Sequence, residues 1–552
     1  MRDGLLATIR RPFGGRLLRV YGDFILRRKA HLWFQWIWVG SRNSGVASGE
    51  GVSMAMNRRQ LITRGGAVGV GAAALGLGVS VDDAAAADPR RSRSGGKLFP
   101  PLQASAGDLL ALPPGFSYEV VAEAGVTEIH DGTGTIIGKT PDKIDGTGLF
   151  PSPRGYRLVQ NHELAGGVAL PVPHVAGTVY DAGLTGGGCT VVEVRRDGRR
   201  RSEWVGLSGT STNCAGGVTP WNSWLTCEET EAKVGTVSGG QTLAEDHGWV
   251  FEVFPSRPAA QIPEPIRAWG RFPHEAVVVA PDRSHVYLTE DASSPNGLLY
   301  RWTAPTGYRV QPRMATDLNG NQGRLEALIV LAPDGSILPD LAYVTSAQIG
   351  RPFRTRWTEV PDRQATSTSV RKQFTNGEIT RSKKLEGAWG DRHGMYFDAS
   401  FAYAPGDLPP NATPHDGQIW YYNYAEETLT LKAYFPYNPL LHSETPNWEA
   451  TLGASLDLAF DGPDNLHVSP YGSLVIAEDG NTANHLISWS EDLGAQAIAR
   501  NLIVLEQSDG GGNVYAELTG PNFTPNGALL FANVQQPGHT FVIRGPWRTY
   551  LG

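Results

Sequence analysis

The chain has 552 residues, of which 41% are hydrophobic and 19% are charged, and its formal net charge at pH 7 is -7. This mild acidity argues against nucleic-acid binding, which needs a basic face, and it is compatible with binding of multivalent cations. The 67 glycines, 38 prolines, 15 tryptophans and 18 tyrosines are typical of many short strands joined by tight turns.

The amino-terminal region predicts an export signal over residues 54–87. Arg58 and Arg59 form a twin-arginine pattern, an uncharged stretch runs from Gly65 to Ser80, and Ala85-Ala86-Ala87 supplies a small-residue cleavage site. The stretch is too short and too weakly apolar to span a bilayer comfortably, and a disordered glycine-alanine linker is the alternative. We therefore expect the twin-arginine export machinery as a partner and a secreted, extracytoplasmic location. That machinery transports folded proteins, often with a cofactor in place.

Two segments flank this signal. Residues 1–53 are either an overlong start, with Met54 or Met56 as the initiator, or a genuine extension, and the sequence is compatible with both. Residues 88–97 form a polar, basic linker. Folded structure is predicted over residues 98–552 without a further interdomain linker.

A short pattern returns six times within residues 98–552. Each copy opens on a polar or turn residue, passes Gly, Pro or Asp, and continues into an apolar strand that ends in an acid or an amide. Repeats at long periods indicate an array of like units, and period-two strands favour an all-β fold. We predict a six-bladed β-propeller with insertions. The copies cover residues 145–161, 214–228, 274–291, 386–398, 464–479 and 523–533.

The spacing of the copies is uneven, with a wide gap between Glu290 and Asp398. This gap predicts an insertion from Asp317 to Arg381, and an excursion of this length is often a functional loop or a lid.

The openings of four copies carry potential metal ligands. In a propeller the inner strands line one axis, so residues at equivalent ends face each other, and carboxylates gathered there stay ionised only with cations between them. Glu275, Glu386, Asp464 and Asn465 therefore predict hard oxygen ligands for calcium or ferric iron. The alternative is that they cap turns or bond to backbone.

Cysteine usage adds a softer donor. Cys214 opens the second copy, where a thiolate would favour iron or zinc, and the alternative is a buried cysteine acting as a small hydrophobe. The chain has three cysteines, so an exported protein would keep at least one thiol unpaired. Cys189 and Cys227 could form a disulfide, which the sequence alone does not show.

The acid ends of the copies form a second set of candidate ligands. Paired acids just after a strand suit calcium loops, although they also suit solvated turns. His274 could be a ligand, an acid or a core residue, and Lys384 could bind an anion. Nucleophile-elbow, P-loop and H-E-x-x-H motifs are absent. The acid-end candidates are Asn161, Glu163, Glu228, Glu290, Asp291, Glu478 and Asp479.

Four stretches together resemble the PhoX-type alkaline phosphatases. The resemblance covers about residue 100 to the end, and it implies twin-arginine export, a propeller fold, a centre of ferric iron (Fe3+) and calcium (Ca2+), and hydrolysis of phosphomonoesters. The stretches are 212–229, 270–276, 286–291 and 463–466.

The resemblance also implies residue roles. Cys214 would be the iron-binding thiolate, and Glu275, Glu386 and Glu163 would be carboxylate ligands. Calcium would be held by Asp464, Asn465, Glu478 and Asp479. One position departs from the family pattern, because Lys384 stands where an arginine is expected. Lysine keeps the positive charge but loses the bidentate fork.

These observations predict phosphoryl transfer from a small phosphate ester to water at a multinuclear metal centre, with Lys384 binding a non-bridging oxygen. We expect a monomer. Two alternatives remain from the residues alone. The first is a calcium-dependent propeller lactonase or esterase, which would need neither iron nor Cys214, and the second is a non-catalytic binding propeller stabilised by calcium.

Overall fold

The computed structural model describes residues 96–552 except 132, 257–259, 319, 404–405, 407, 409, 443–447, 481 and 508–512. The chain divides into two units, Met1–Gly71 and Ala72–Gly552, and all described residues belong to the second. The predicted extension, the signal and all but the last two residues of the linker lie outside the described residues, so these predictions stay predictions. No helix in the described part of the chain is long and apolar enough to cross a membrane.

The fold is all-β, as predicted, and contains 31 strands among the described residues. The first sixteen are β1 Leu110–Ala111, β2 Ser117–Glu123, β3 Glu128–His130, β4 Ile136–Lys139, β5 Ile144–Ser152, β6 Gly155–His162, β7 Gly187–Arg195, β8 Arg200–Thr210, β9 Asn213–Val218, β10 Trp224–Glu228, β11 Val237–Ser238, β12 Gln241–Thr242, β13 Val250–Val253, β14 His274–Val279, β15 His285–Glu290 and β16 Leu299–Thr303. The others are β17 Arg324–Val330, β18 Pro352–Glu359, β19 Leu385–Gly390, β20 Gly394–Ala399, β21 His415–Asn423, β22 Thr428–Pro436, β23 Pro463–Val468, β24 Leu474–Glu478, β25 His485–Ser490, β26 Gly494–Asn501, β27 Val504–Gln507, β28 Asn513–Tyr515, β29 Leu518–Phe523, β30 Leu529–Val534 and β31 His539–Arg544.

Helices within the described residues are short. Three are α-helical, namely α1 Met314–Asp317, α2 Trp448–Leu452 and α3 Trp547–Leu551. The 3-10 turns are Arg267–Trp269, Leu341–Tyr343, Ser346–Gln348, Val370–Gln373, Pro439–Leu441 and Gly453–Leu458.

Six antiparallel hairpins form the centre of the molecule. Their first strands are β5, β9, β14, β19, β23 and β29, and each contacts the next in chain order until β29 contacts β5 again. The inner strands therefore close a ring, which is the propeller-like arrangement that the repeats predicted. The hairpins, numbered one to six below, are β5–β6, β9–β10, β14–β15, β19–β20, β23–β24 and β29–β30.

Outer strands extend each hairpin into a sheet. The order is β5-β6-β7-β8 in the first sheet, β9-β10-β13 in the second and β1-β26-β25-β24-β23 in the fifth. The third and fourth hairpins share one nine-stranded sheet, in which β17, β18 and β22 connect the two halves. In the sixth sheet, β2 near the start of the described chain pairs with β31 near its end, so the ring is closed by strands from both ends.

The cores lie between neighbouring sheets. One cluster joins the second and third sheets around Trp269 and Trp302, another joins the halves of the shared sheet around Trp420, and a third joins the fifth and sixth sheets around Trp547. The inner strands also fill the axis, where a cavity of only about 20 Å³ remains. The axis is therefore filled by protein. At one end of the ring, the first strand of each hairpin begins and the second strand ends.

The hairpins share an irregularity near this end. In five of them the first strand has two residues opposite one on the second strand, a β-bulge, and the pairs of extra residues are Asp145-Gly146, Cys214-Ala215, Glu275-Ala276, Glu386-Gly387 and Asp464-Asn465. In the sixth hairpin the extra residues are Gly520 and Pro521. A bulge bends the strand and changes the direction of its side chains. Because five hairpins have the same bulge at the same place, the first extra residue has the same local setting in each of them.

Two sequence predictions differ from the structure in detail. The predicted opening of the sixth copy at Phe523 falls at the far end of β29, because Phe523 pairs with Leu530 next to the turn. The predicted insertion Asp317–Arg381 is only partly an insertion, since β17 and β18 belong to the shared sheet. The disulfide that the sequence left open between Cys189 and Cys227 is not present, since both are buried free thiols.

Candidate metal centre

Three positions of every hairpin meet at the end of the ring where the bulges lie. The bulge ligands, defined as the first extra residues, are Asp145, Cys214, Glu275, Glu386 and Asp464. The rim residues directly follow the second strands and are Glu163, Glu229, Asp291, Ser400, Asp479 and Gln535. The entry residues directly precede the first strands and are Lys143, Thr212, Pro273, Lys384, Gly462 and Glu517.

The donor atoms of these positions form three overlapping groups. Within each group all donor atoms lie within 4.8 Å of one another, and the groups are Cys214 with Glu229 and Glu275, Glu275 with Glu386 and Asp464, and Asp464 with Asp479 and Glu517. Because Glu275 and Asp464 each belong to two groups, the three groups are contiguous. The structure thus brings Cys214, Glu275, Glu386, Asp464 and Asp479 together, as the sequence predicted.

The residues present fit multivalent cations. Glu275 is 0% exposed, and neither carboxylate oxygen has a hydrogen-bond partner among the described residues. Burial, followed by the charges of Glu386 and Asp464, raises its pKa well above the usual value. An isolated buried carboxylate without partners is very unfavourable, whereas one that binds a cation is compensated.

The charge balance leads to the same conclusion. Two lysines stand among nine carboxylates, so the carboxylates of the cluster outnumber its lysines by seven. The lysines are Lys143 and Lys384, and the carboxylates belong to Asp145, Glu163, Glu229, Glu275, Asp291, Glu386, Asp464, Asp479 and Glu517. Burial decreases from Glu275 to the exposed Asp479, so the cluster opens to solvent at the rim.

Cys214 differs chemically from the other bulge ligands. Its thiol is 8% exposed, and its sulfur lies 3.8 Å from the carboxylate of Asp145. Burial and the negative charges of Asp145 and Glu275 raise the pKa of this thiol. A thiolate would therefore form here only with a cation close by, and a soft sulfur donor beside carboxylates suits iron or zinc better than calcium.

The two lysines occupy equivalent positions in the first and fourth hairpins. Both have the left-handed backbone, with φ values of 50° for Lys143 and 51° for Lys384. Lys384 donates to Asp291 at 3.0 Å and to Glu386, and Lys143 donates to Glu163 at 3.2 Å. Hairpins one and four face each other across a ring of six, so two cations flank the cluster from opposite sides.

Neutral rim residues orient the carboxylates. The Gln535 amide donates to Asp145 at 2.9 Å and to Glu163 at 2.8 Å, and the Ser400 hydroxyl donates to Glu386 at 2.8 Å. These donors each hold one oxygen of a carboxylate, and the other oxygen of Asp145 has no hydrogen-bond partner among the described residues.

Three predicted ligands instead accept hydrogen bonds from the protein, namely Glu228, Glu290 and Glu478. Each ends the second strand of its hairpin and accepts from backbone N–H groups at the start of the third strand, namely from Gly248 at 2.8 Å, Leu298 at 3.2 Å and His485 at 2.8 Å. Their remaining capacity is taken by His247, by Tyr300 with Arg371, and by the His485 ring. The structure therefore gives these three glutamates a structural role.

Two further predicted residues also have protein partners. The Asn161 amide donates to the carbonyls of Cys214 and Ala215 and accepts from Trp224 and Cys189. Asn465 donates to Asp464 at 2.8 Å and accepts from the Gly520 N–H at 2.7 Å, so it orients a bulge ligand.

His274 packs in the core rather than at the centre. It stacks on Phe272 with ring centroids 3.6 Å apart, and its Nε2 donates to the Gly270 carbonyl at 3.0 Å. Burial lowers its pKa to about 3. A neutral, buried imidazole in this position supports the core alternative.

Sequence reasoning missed Asp145, Glu229, Glu517 and Lys143. Asp145 opens the first copy and Glu229 follows Glu228, so the repeat alignment already contained both. Lys143 occupies the same place before its strand as Lys384. Glu517 had no such signal, because the sixth copy was aligned on Phe523, six residues later in the chain.

Comparison with known proteins adds the family context. A family model described as alkaline phosphatase PhoX matches residues 97–538. A solved structure of PhoX from Pseudomonas fluorescens in complex with vanadate, a transition state analogue, is 18% identical, covers 81% of this chain and 98% of its own, and superposes with a TM-score of 0.55, which shows the fold. The PQQ domain of a pyranose dehydrogenase from Coprinopsis cinerea is 10% identical, covers 82% of this chain and 99% of its own, and has a TM-score of 0.30. No curated protein sequence matches the chain.

Proposed function

The chain belongs to the PhoX alkaline phosphatase family and is a phosphatase of that family, and we propose that it is exported and hydrolyses small phosphate monoesters at an iron and calcium centre. The observation that supports the centre most strongly is the buried Glu275 carboxylate, which has no hydrogen-bond partner and is shared by two donor groups. The twin-arginine pattern at Arg58-Arg59 supports export.

The donor chemistry supports different ions at the two ends of the cluster. Cys214, Glu229 and Glu275 would hold ferric iron, because this group contains the thiol. Asp464, Asp479 and Glu517 would hold calcium, because this group contains only carboxylates and opens to solvent. When bound, such ions neutralise the phosphoryl charge and supply a nucleophile derived from water.

The chain's own residues would bind and orient the ester. The entry residue Lys384 donates to Asp291 and Glu386, and from there its ammonium can move to a non-bridging phosphoryl oxygen, while Lys143 offers a second cation across the ring. In the transition state of phosphoryl transfer, negative charge is spread over the non-bridging oxygens. Cations on two sides of the group would stabilise that charge. The vanadate complex of the Pseudomonas fluorescens protein supports binding of such an oxyanion in this fold.

Lys384 also affects how tightly the phosphoryl group is held. A lysine ammonium makes a point contact, whereas an arginine would make a bidentate one. We expect Lys384→Arg to lower the inhibition constant of inorganic phosphate relative to the wild type.

The proposal is tested on protein purified from its native export route. We expect hydrolysis of p-nitrophenyl phosphate and both iron and calcium by elemental analysis. Cys214→Ala should lose the iron and reduce kcat at least 100-fold, equivalent to about 2.7 kcal/mol of barrier. Cys227→Ala is the matched control, because Cys227 is also a buried thiol but belongs to a hydrophobic cluster.

The results separate the alternatives. If the purified protein contains no iron and the Cys214→Ala variant keeps full activity, the iron centre is contradicted and a calcium-dependent hydrolase is favoured. A melting temperature that falls on chelation, without turnover of any phosphate ester, would favour a binding propeller.

A further inference from the structure

Tyr403 lies where the chain leaves the fourth hairpin, three residues after Ser400. Its side chain is half-buried, and its hydroxyl makes no hydrogen bond with any residue that the structure describes. The proposed reaction assigns no step to this group.

The Tyr403 ring is held in place by two neighbours. Phe401, 6% exposed, stacks on it with centroids 4.6 Å apart and an interplanar angle of 24°. The Lys383 ammonium lies 3.5 Å from the ring centroid, within the range of a cation–π interaction. Phe401 and Lys383 contact the ring of Tyr403 and not its hydroxyl, so the hydroxyl can make other contacts.

The neighbours of Tyr403 connect it to the cluster. Lys383 directly precedes Lys384, the entry residue that donates to Asp291 and Glu386. The charges of Lys384, Asp479 and Asp291 all act on the Tyr403 phenol, and those residues belong to the fourth, fifth and third hairpins. Ser400, which donates to Glu386 at 2.8 Å, lies three residues before Tyr403, so Tyr403 lies beside the part of the cluster that the fourth hairpin supplies. Burial raises the pKa of Tyr403 to about 12, so the hydroxyl remains a donor in alkaline solution.

We propose that Tyr403 is a specificity-determining residue whose hydroxyl donates a hydrogen bond to an oxygen of the alcohol portion of the phosphate ester. This inference rests on the proposed function. The charged groups of the centre match the phosphoryl end, because that end carries the charge. The alcohol portion is neutral and projects toward the open rim, where Tyr403 supplies a neutral donor on a rigid ring.

The test compares Tyr403→Phe, which keeps the ring contacts, with the wild type. We expect KM for glycerol phosphate to rise about three- to tenfold, the effect of one neutral hydrogen bond, and the inhibition constant of inorganic phosphate to stay within about twofold. Tyr471→Phe is the control, because the Tyr471 hydroxyl donates to the Gly527 carbonyl at the opposite end of the hairpins. Equal melting temperatures would show that both variants fold.

A binding measurement separates this inference from the proposed function. The phosphonate that replaces the ester oxygen of glycerol phosphate by a methylene cannot be hydrolysed, and calorimetry should show the same three- to tenfold loss of affinity in Tyr403→Phe. If the wild type hydrolyses no ester but this loss is seen, the proposed function fails and the Tyr403 contact stands. If KM and the phosphate inhibition constant rise together, or if neither KM nor phosphonate affinity changes, the Tyr403 assignment is overturned.

Discussion

Glutamates in this chain are buried for two different reasons, and their hydrogen bonds separate them. Glu275 and Glu228 are both 0% exposed and lie in adjacent hairpins. Glu228 accepts from four groups of the protein, whereas both oxygens of Glu275 are without a partner in the described part of the chain. Burial alone therefore does not identify a ligand here, and these two glutamates differ in whether the protein satisfies the carboxylate.

This contrast predicts opposite effects of the same substitution. Glu275→Gln should reduce metal content and activity, yet raise the melting temperature of the chelated protein, because it removes an uncompensated charge from a group of like charges. Elemental analysis and thermal unfolding after chelation measure both effects.

Glu228→Gln is the matched variant and should behave the other way. It loses charge-assisted acceptors for backbone N–H groups, so we expect about 1–3 kcal/mol of destabilisation with metal content unchanged. Loss of metal in Glu228→Gln with metal retained in Glu275→Gln would contradict the assignment of the centre.

At the scale of the strand, the bulge is the element that builds the centre. The two bulge residues of the first strand are a ligand and then a small residue, which is Gly146, Ala215, Ala276 or Gly387 in four of the five hairpins. The small residue lets the neighbouring strand approach closely. A Cβ added at Gly387 would lie 2.3 Å from the Asp464 carbonyl oxygen, and one at Gly146 would lie 2.7 Å from that of Cys214.

Gly387→Ala should therefore disturb two hairpins at once. The methyl group meets backbone rather than a flexible side chain, so Asp464 must move away from Glu275 and Glu386, and we expect reduced metal content and a destabilisation of about 1–3 kcal/mol. Circular dichroism melting and elemental analysis check this.

Gly406→Ala serves as the control because Gly406 is exposed and a Cβ there meets nothing within 4 Å. Unchanged metal content in Gly387→Ala would show that the close strand approach does not position the ligands.

The repeat pattern predicted the hairpins well and their fine registration less well. Five openings were placed correctly because an acidic residue or a cysteine begins each copy, and in the structure that residue is the first of the two bulge residues. The sixth was misplaced because Phe523-Thr-Pro-Asn526 has the same turn chemistry as the true openings but lies at the opposite end of β29. Glu290 and Glu478 looked like ligands because sequence does not reveal which backbone N–H groups a carboxylate will meet.

Across the whole molecule, buried histidines link stability to pH. His247 lies between Glu228 at 2.6 Å and Asp181 at 3.3 Å, and His485 lies between Glu478 at 2.7 Å and Asp457 at 3.3 Å. Burial opposes protonation of His247, but Glu228 and Asp181 outweigh it and raise its pKa to about 9. The folded chain thus keeps a proton that the unfolded chain releases near pH 6.5.

The sign of this linkage fixes a prediction. The stabilisation by His247 is complete below pH 6.5 and is lost as pH rises through about 9. Between pH 6.5 and pH 10 the wild type should lose a few kcal/mol more unfolding free energy than His247→Gln, at about 1.4 kcal/mol per pKa unit. Urea unfolding of both metal-loaded proteins measures the difference, and parallel pH profiles would contradict it.

The pairing of β2 with β31 has a consequence for biosynthesis. Donors for the candidate ions come from stretches as far apart in the chain as Asp145 and Glu517, and the sixth hairpin and β31 are synthesised after the other five hairpins. A nascent chain therefore contains most of the coordinating atoms before the ring of inner strands can close and bring them together. Ion uptake would then follow closure of the ring, and it would report which molecules have completed the pairing of β2 with β31.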